Sequence, residues 1–429
     1  VQKGIGLGLL GLGVVGSGVA RVLHDKTETI TNFVGRPLHI RNVLVRDAAR
    51  QRAVTLAPDI VTADATRILT HPDIDIVVEL LGGEEPARTY IETALRNGKS
   101  VVTANKEVMA KFGPELILLA QANNVRIRYE ASVGGGIPLI TPFNRTLLAN
   151  RIFQVRAIIN GTSNYILTRM AEQGAPFADA LGQAQALGYA EPDPRNDVEG
   201  IDAAYKLAIL ASLAFRARVR PEDIYREGIQ RLHPNDFRYA KELGYSIKLL
   251  AIGKETGVGI EVRVHPTLIP DNLLLSQVGG VFNAVQVDGD LMGPLVLYGR
   301  GAGADPTAGV VVADIIEVAQ RMGIPGAPEL PATYSDKIIV PMHEVRSRYY
   351  FRLEVDDQPG VLAQIARVLG DHRISISSVV QKEADEQAQS AEIVIMTHPA
   401  LEADVQAGLA MLEHLEVVRE LGNLLRVEG

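Results

Sequence analysis

Over the first 130 positions the apolar residues fall into short β-branched runs separated by stretches with helical spacing. Strands are predicted at Ile5 to Leu10, His39 to Val45, Ile74 to Leu80 and Ser100 to Thr103, with helices at Gly16 to His24 and Pro86 to Asn97. Strand, helix, strand in this rhythm predicts a parallel sheet with helices on both faces. From Arg151 to about Asp288 the rhythm changes. A strand is expected at Ile152 to Asn160, a long apolar helix at Asp197 to Phe215, a helix at Asp236 to Ser246, and strands at Ile260 to His265, Val281 to Val287 and Leu295 to Leu297. That mixture predicts an α+β unit. A Gly-rich turn then opens a helix from about Pro306 to Met322. Beyond a stretch punctuated by Pro325, Pro328, Pro331 and Pro341, the tail reads strand (Tyr349 to Val355), helix (Val361 to Asp371), strand (Ile374 to Gln381), strand (Ala391 to His398), helix (Glu402 to Leu415), strand. This βαββαβ order is the split arrangement of ferredoxin-like folds.

Composition narrows the function classes. The 429 residues allow two to four folding units with real cores. With 43 Lys+Arg against 51 Asp+Glu the net charge is −8, and with 5% aromatics and no Trp a nucleic-acid surface is not expected. The absence of Cys excludes disulfide scaffolds, thiolate zinc sites, iron–sulfur clusters and attack through a thiol. A reducing, cytoplasmic setting is expected. The apolar first 20 residues raise the question of a leader or membrane span. Seven glycines and the early charges of Arg21, His24 and Asp25 argue against both.

Gly11-Leu12-Gly13-Val14-Val15-Gly16 follows an apolar strand and opens a helix. In that setting the first Gly permits a tight turn, the second lets the backbone approach a pyrophosphate, and the third packs helix on strand. A Rossmann-type dinucleotide site is the expectation. Glycines at Gly4, Gly6 and Gly8 weaken the preceding strand without an evident reason. The second strand runs out as Val45-Arg46-Asp47. Arg46 suits a 2′-phosphate and so favours NADP, while Asp47 beside it keeps NAD open.

The segment Gly200 to Phe215 carries only two charges, Asp202 and Lys206, four residues apart and hence on one helix face. Burying charges costs several kcal/mol unless they are paired or used. A dry carboxylate and ammonium beside a cofactor suit proton transfer to a carbonyl oxygen. A purely structural i,i+4 ion pair explains the same spacing. Upstream, the acidic, Pro-stiffened run Glu191 to Glu199 suits a cationic ligand group, or supplies the helix cap through Asn196 or Asp197.

Together these pieces resemble homoserine dehydrogenase, along nearly the whole chain. The motifs are GLGVVGSG at Gly11 to Gly18, GGEEPA at Gly82 to Ala87, VVTANKE at Val101 to Glu107 and YEASVGGGIP at Tyr129 to Pro138. NGTSNYIL at Asn160 to Leu167, EPDPRNDVEGIDAAYKLAIL at Glu191 to Leu210 and GRGAGADPTAG at Gly299 to Gly309 complete the set. The resemblance implies NAD(P)-dependent interconversion of L-aspartate 4-semialdehyde and L-homoserine. It implies that Lys206 is the acid/base lysine with Asp202 as its partner, and that Glu191 and Asp197 hold the amino-acid end of the substrate. Lys106 is implied near nicotinamide and substrate, Gly161 and Thr162 in the substrate-facing turn, and Gly301 as a second cofactor contact. Glu130 and the carbonyls of Val133, Gly135 and Ile137 resemble the family's monovalent-cation site, with sodium expected.

The tail resembles an ACT domain, which implies an amino-acid effector, threonine being the expectation, or a role in association. The family implies a homodimer or homotetramer. The expected organisation is a Rossmann domain at 1–140 plus about 300–342, a catalytic and dimerisation domain at 141–299, and an ACT domain at 349–429. An acylating aldehyde dehydrogenase is excluded by the missing cysteine. A catalytically silent protein that binds NADP and an amino acid is the remaining alternative, and the charged pair inside an apolar helix argues against it.

Overall fold

A computed structural model describes residues 4–47, 54, 56–322, 334–385 and 389–429, so Pro325, Pro328 and Pro331 lie outside the described residues. The chain divides into two units. One comprises Val1–Phe153, Tyr205–Pro221 and Val287–Lys337; the other comprises Gln154–Ala204, Glu222–Gln286 and Ile338–Gly429.

The first unit is built on six strands: β1 (Ile5–Leu10), β2 (Leu38–Leu44), β3 (Val61–Thr62), β4 (Ile76–Glu79), β5 (Ser100–Thr103) and β6 (Ile127–Arg128). Their order is β3-β2-β1-β4-β5-β6, and every pairing is parallel. This is the doubly wound arrangement, with the chain reversing direction across the sheet between β1 and β4. β1, β4 and β5 are buried along their whole length, as central parallel strands are, while the first half of β2 alternates between half-buried and exposed positions. Helices Val14–Asp25 and Ala304–Arg321 pack together through Val19, Ala20 and Leu23 on one and Ala308, Val311, Val312 and Ile315 on the other.

Each of the three early glycines faces a close neighbour: at Gly4, just before β1, a Cβ would stand 2.5 Å from the His39 ring. A Cβ on Gly6 would stand 1.7 Å from the carbonyl oxygen of Asp73, and one on Gly8 would stand 2.5 Å from a methyl carbon of Ile68. The Asp73 loop and the short helix Thr66–Leu69 press directly on the β1 backbone, which only glycine permits.

The second unit carries β7 (Ile152–Ile158), β8 (Tyr225–Arg226), β9 (Tyr245–Glu255), β10 (Ile260–Pro270) and β11 (Phe282–Gly289); β12 (Gly293–Arg300) follows within the first unit. The tail adds β13 (Arg346–Asp356), β14 (Ile376–Asp385), β15 (Ser390–Thr397), β16 (Ala400–Leu401) and β17 (Val418–Val427). The expected βαββαβ order is present, with helices Val361–Asp371 and Glu402–Leu412 over a core of Tyr349, Phe351, Ile365, Ile393 and Leu409. The tail sheet is not separate. β17 pairs in parallel with β10 through Thr267↔Arg426 and Leu268↔Val427, giving one path β11-β7-β9-β10-β17-β13-β15-β14. Charged side chains pin this junction. Arg426, 1% exposed, donates to Glu402 at 2.9 Å and to Glu227 at 2.8 Å. Arg352 donates to the fully buried Asp236 at 3.1 Å and to Glu392 at 2.9 Å.

Two expectations are corrected. The helix expected from Asp197 to Phe215 is two helices, Arg195–Val198 and Ile201–Phe215, because Gly200 between them has φ +74°, a left-handed conformation that ends a helix. The helix expected from Asp236 to Ser246 is Pro234–Glu242. Gly244 at φ +80° turns the chain, and Tyr245 already belongs to the eleven-residue strand β9, whose central run Leu249 to Ile252 is apolar without alternation and does not announce its period.

Candidate active site

At the carboxyl ends of β1, β2 and β4 the first unit holds a cleft of about 840 Å3. Its lining includes Gly11, Leu12, Gly13 and Val14 on the fingerprint turn and Arg46 and Asp47 after β2. Leu80 to Gly82 after β4, and Ala304 and Asp305 at the start of the returning helix, complete it. Gly11 has φ +108°, as the tight turn requires. A Cβ on Gly16 would lie 2.3 Å from the carbonyl oxygen of Gly11, so that position must be bare for the helix to pack on the turn. A Cβ on Gly13 would meet nothing within 4 Å: that face looks onto open space where a pyrophosphate can approach the helix N-terminus. Arg46 and Asp47 are both exposed at the rim, and Arg21 pairs with Asp305. Val15 follows Val14 into the helix. Gly301 packs against Gly135, whose Cβ position lies 2.4 Å from the Gly301 carbonyl oxygen.

Lys106 is the half-buried first residue of helix Lys106–Ala122. Asn105 holds the turn in place: its side-chain oxygen accepts from Val108 N at 3.1 Å, and its Nδ2 donates to the Gly83 carbonyl at 2.7 Å. Sequence reasoning missed the group beneath it. Glu79, at the end of β4 and fully buried, accepts from Thr103 Oγ1 at 2.6 Å and from Leu81 N at 2.8 Å. Burial pushes its carboxyl upward against these donors. A lone Glu closing an apolar strand gives little sequence signal.

Helix Ile201–Phe215 brings Asp202 and Lys206 one turn apart, with Asp202 3% exposed and Lys206 half-buried. In the second unit, Asp202 and Asp197 meet at Asn160. Its Nδ2 donates to Asp197 Oδ1 at 2.7 Å and to Asp202 Oδ2 at 2.9 Å. Asn160 also caps helix Gly161–Gln173, accepting from Ser163 N at 2.8 Å. Ser163 Oγ donates to the Asp197 carbonyl at 2.8 Å. Thr162 Oγ1 donates to the Tyr189 carbonyl at 2.7 Å, and Gly161 has no room for a Cβ, which would stand 2.9 Å from the Val281 carbonyl oxygen. Glu191 lies on an exposed turn with its carbonyl accepting from Gln185 at 3.1 Å. Asp193 is engaged by Arg195 at 2.6 Å, which holds its carboxyl down to about 2.

The loop from Glu130 to Ile137 is buried except at Gly136. Gly134 and Gly135 are left-handed, with φ +74° and +53°. The Glu130 carboxylate is already saturated by Leu139 N at 2.5 Å, Ile140 N at 2.6 Å, Thr141 N at 2.7 Å and Thr141 Oγ1 at 2.5 Å. Among the described residues no backbone N–H donates to the carbonyls of Val133, Gly135 or Ile137, and no cluster of three or more His, Asp or Glu is placed to hold a metal. Any cation here rests on carbonyl oxygens, a donor set suited to a hard ion.

The family models for homoserine dehydrogenase and its NAD-binding domain match residues 138–316 and 11–130, and an ACT domain model matches residues 349–413. A homoserine dehydrogenase of Neisseria gonorrhoeae is 44% identical over 100% of this chain and 99% of its own. The chain belongs to the homoserine dehydrogenase family. It is an NAD(P)-dependent oxidoreductase acting on a CH–OH group, with a C-terminal ACT domain. The crystal structure of a homoserine dehydrogenase from Thiobacillus denitrificans is similar at TM-score 0.92 and 45% identity, covering 99% of this chain and 98% of that one. A hyperthermophilic archaeal homoserine dehydrogenase in complex with NADPH is similar at TM-score 0.64 and 27% identity over 75% of this chain and 99% of that one. The cysteine-free composition and the charged apolar helix thus belong to a dehydrogenase, and no described helix is long and apolar enough to cross a membrane.

Proposed function

We propose that this homoserine dehydrogenase uses Lys206 as its proton donor, with Asp202 orienting it and Asp197 and Glu191 receiving the substrate ammonium. The observation that carries the reading is a nearly fully buried carboxylate one turn from the only cation of an otherwise apolar helix. When bound, the nicotinamide supplies or accepts the hydride at the carbinol carbon. In reduction of L-aspartate 4-semialdehyde the Lys206 ammonium gives a proton to the aldehyde oxygen as it becomes a hydroxyl. In oxidation of L-homoserine the neutral amine takes that proton back. The family resemblance assigns Lys106 to nicotinamide and substrate, and Gly161 and Thr162 to the substrate-facing turn. A division of roles follows. Asp202→Asn lowers kcat at least ~100-fold with a small change in homoserine KM, since a displaced proton donor costs transition-state stabilisation. Asp197→Asn chiefly raises KM. Equal effects on both parameters in both variants would remove the division.

For the cofactor we infer NADP with NAD also accepted, supported by Arg46 at the cleft rim and by the NADPH complex of the archaeal relative. The fingerprint turn Gly11 to Gly16 holds the pyrophosphate, and Gly301 is assigned as a second cofactor contact. Arg46→Ala should raise the KM for NADP+ at least ~10-fold and leave that for NAD+ within twofold. We further propose sodium on the carbonyls of Val133, Gly135 and Ile137 with Glu130 closing the loop, a structural ion with no part in proton transfer. Threonine as the ACT effector, a homodimer or homotetramer, and a cytoplasmic setting complete the reading. Threonine added to the assay, and light scattering of the eluting protein, test the first two.

A further inference from the structure

The role of Asn160 is not captured by its identity as a helix cap. Both hydrogens of its amide nitrogen are used, one on Asp197 at 2.7 Å and one on Asp202 at 2.9 Å, while its oxygen caps the next helix through Ser163 N at 2.8 Å. Asn160 is 6% exposed and Asp202 3% exposed while Asp197 is half-buried, so water reaches the pair only from the Asp197 side. Two carboxylates at this separation repel, and one tends to hold a proton unless donors are fixed between them. An amide is the uncharged group that can donate to both while accepting on its other side.

We propose that Asn160 is a positioning residue that locks Asp197 to Asp202 through one amide, so that ammonium recognition and proton delivery share a single rigid reference. This rests on the roles given above to Asp197, Asp202 and Lys206. The amide is anchored at the end of β7 and at the first turn of helix Gly161–Gln173, two regular elements, which makes the reference stiff. A shift of either carboxylate relative to the other would move substrate relative to proton donor. Misplacement of that kind costs about 100-fold in rate per ångström.

Two substitutions separate bridging from capping. Asn160→Ser keeps a good N-cap but cannot reach both carboxylates. Asn160→Asp keeps the cap and the shape but brings a third carboxylate against two, so the cluster must take up a proton to form any bridge. Both variants should retain NADPH binding, followed by nucleotide fluorescence as the check on folding. Asn160→Ser should raise homoserine KM and lower kcat, each by about tenfold or more. Asn160→Asp should move the acidic limb of the kcat/KM profile upward by at least one pH unit, which a purely structural cap would not do. Lys206→Ala runs alongside. If it loses turnover while both Asn160 variants keep wild-type kcat, KM and pH profile, the bridge is overturned and the site reading stands. If Lys206→Ala turns over normally, the site reading itself fails. Asn160→Asp with an unshifted profile also overturns the bridge, whatever happens to Asn160→Ser.

Discussion

Replacing Glu130 by Gln tests whether the loop beside the Rossmann sheet is held by one carboxylate. The change is a single atom in shape, but one oxygen becomes an N–H donor. That nitrogen must face either the pair Leu139 N and Ile140 N or the pair Thr141 N and Thr141 Oγ1. The second orientation is the cheaper, because the Thr141 hydroxyl can turn and accept. It still leaves Thr141 N without an acceptor, costing about 1–3 kcal/mol, and removes the charge from the remaining bonds, each of which weakens by about half. The combined loss is roughly 3–5 kcal/mol. For a unit of this size one kcal/mol moves the melting midpoint by about 2–4 °C, so the variant should melt about 10 °C early. The assay is thermal unfolding followed by circular dichroism, with the first transition compared because two units need not unfold together. Thr141→Val, which deletes only the hydroxyl, should cost about 1 kcal/mol. A Glu130→Gln protein that melts within 1 °C of wild type would refute the reasoning.

Two further outcomes follow from individual side chains. Gly13→Ala places a methyl in open space, so the melting temperature of the cofactor-free protein should stay within about 2 °C of wild type. Its affinity for NADP should fall at least ~10-fold, because the methyl occupies the approach to the pyrophosphate; unchanged titration of NADPH fluorescence would contradict this. Lys248, 7% exposed on β9, donates to the Val278 carbonyl at 2.7 Å, and burial lowers its ammonium to about 8. Between about pH 8 and 10.5 the unfolded chain holds a proton the folded chain has released, so this lysine makes stability rise with pH and costs stability below that window. Lys248→Met should remove up to roughly 3 kcal/mol of that pH dependence, read as the difference between urea midpoints of the two proteins at pH 7.5 and 10. Parallel curves for the two would count against it.

Much of the fold could be read from periodicity because the parallel strands are short, apolar and separated by well-formed helices. What escaped was set by tertiary partners. Gly6 and Gly8 look like defects until Asp73 and Ile68 are seen pressing on β1. Gly200 sits inside an apparently continuous helix, and only its left-handed φ shows where the helix is broken. The central run of β9, Leu249 to Ile252, is apolar without alternation and carries no period to separate strand from helix. The pairing of β17 with β10 joins residues far apart in the chain, and no local pattern encodes it. At the site, the charges inside an apolar helix were legible because they violate a burial rule. Glu79 and Asn160 were not, since a buried Glu ending a strand and an Asn before a helix each have an ordinary explanation until their partners are located.

The account depends most on Lys206 as the group that moves the proton. The direct measurement is single-turnover reduction of L-aspartate 4-semialdehyde by NADPH, followed at the nicotinamide absorbance with wild type and Lys206→Ala, both saturated with cofactor and substrate. The account predicts a fall in the hydride-transfer rate of about 100- to 10,000-fold with NADPH affinity unchanged. A rate within threefold of wild type at full saturation would contradict it.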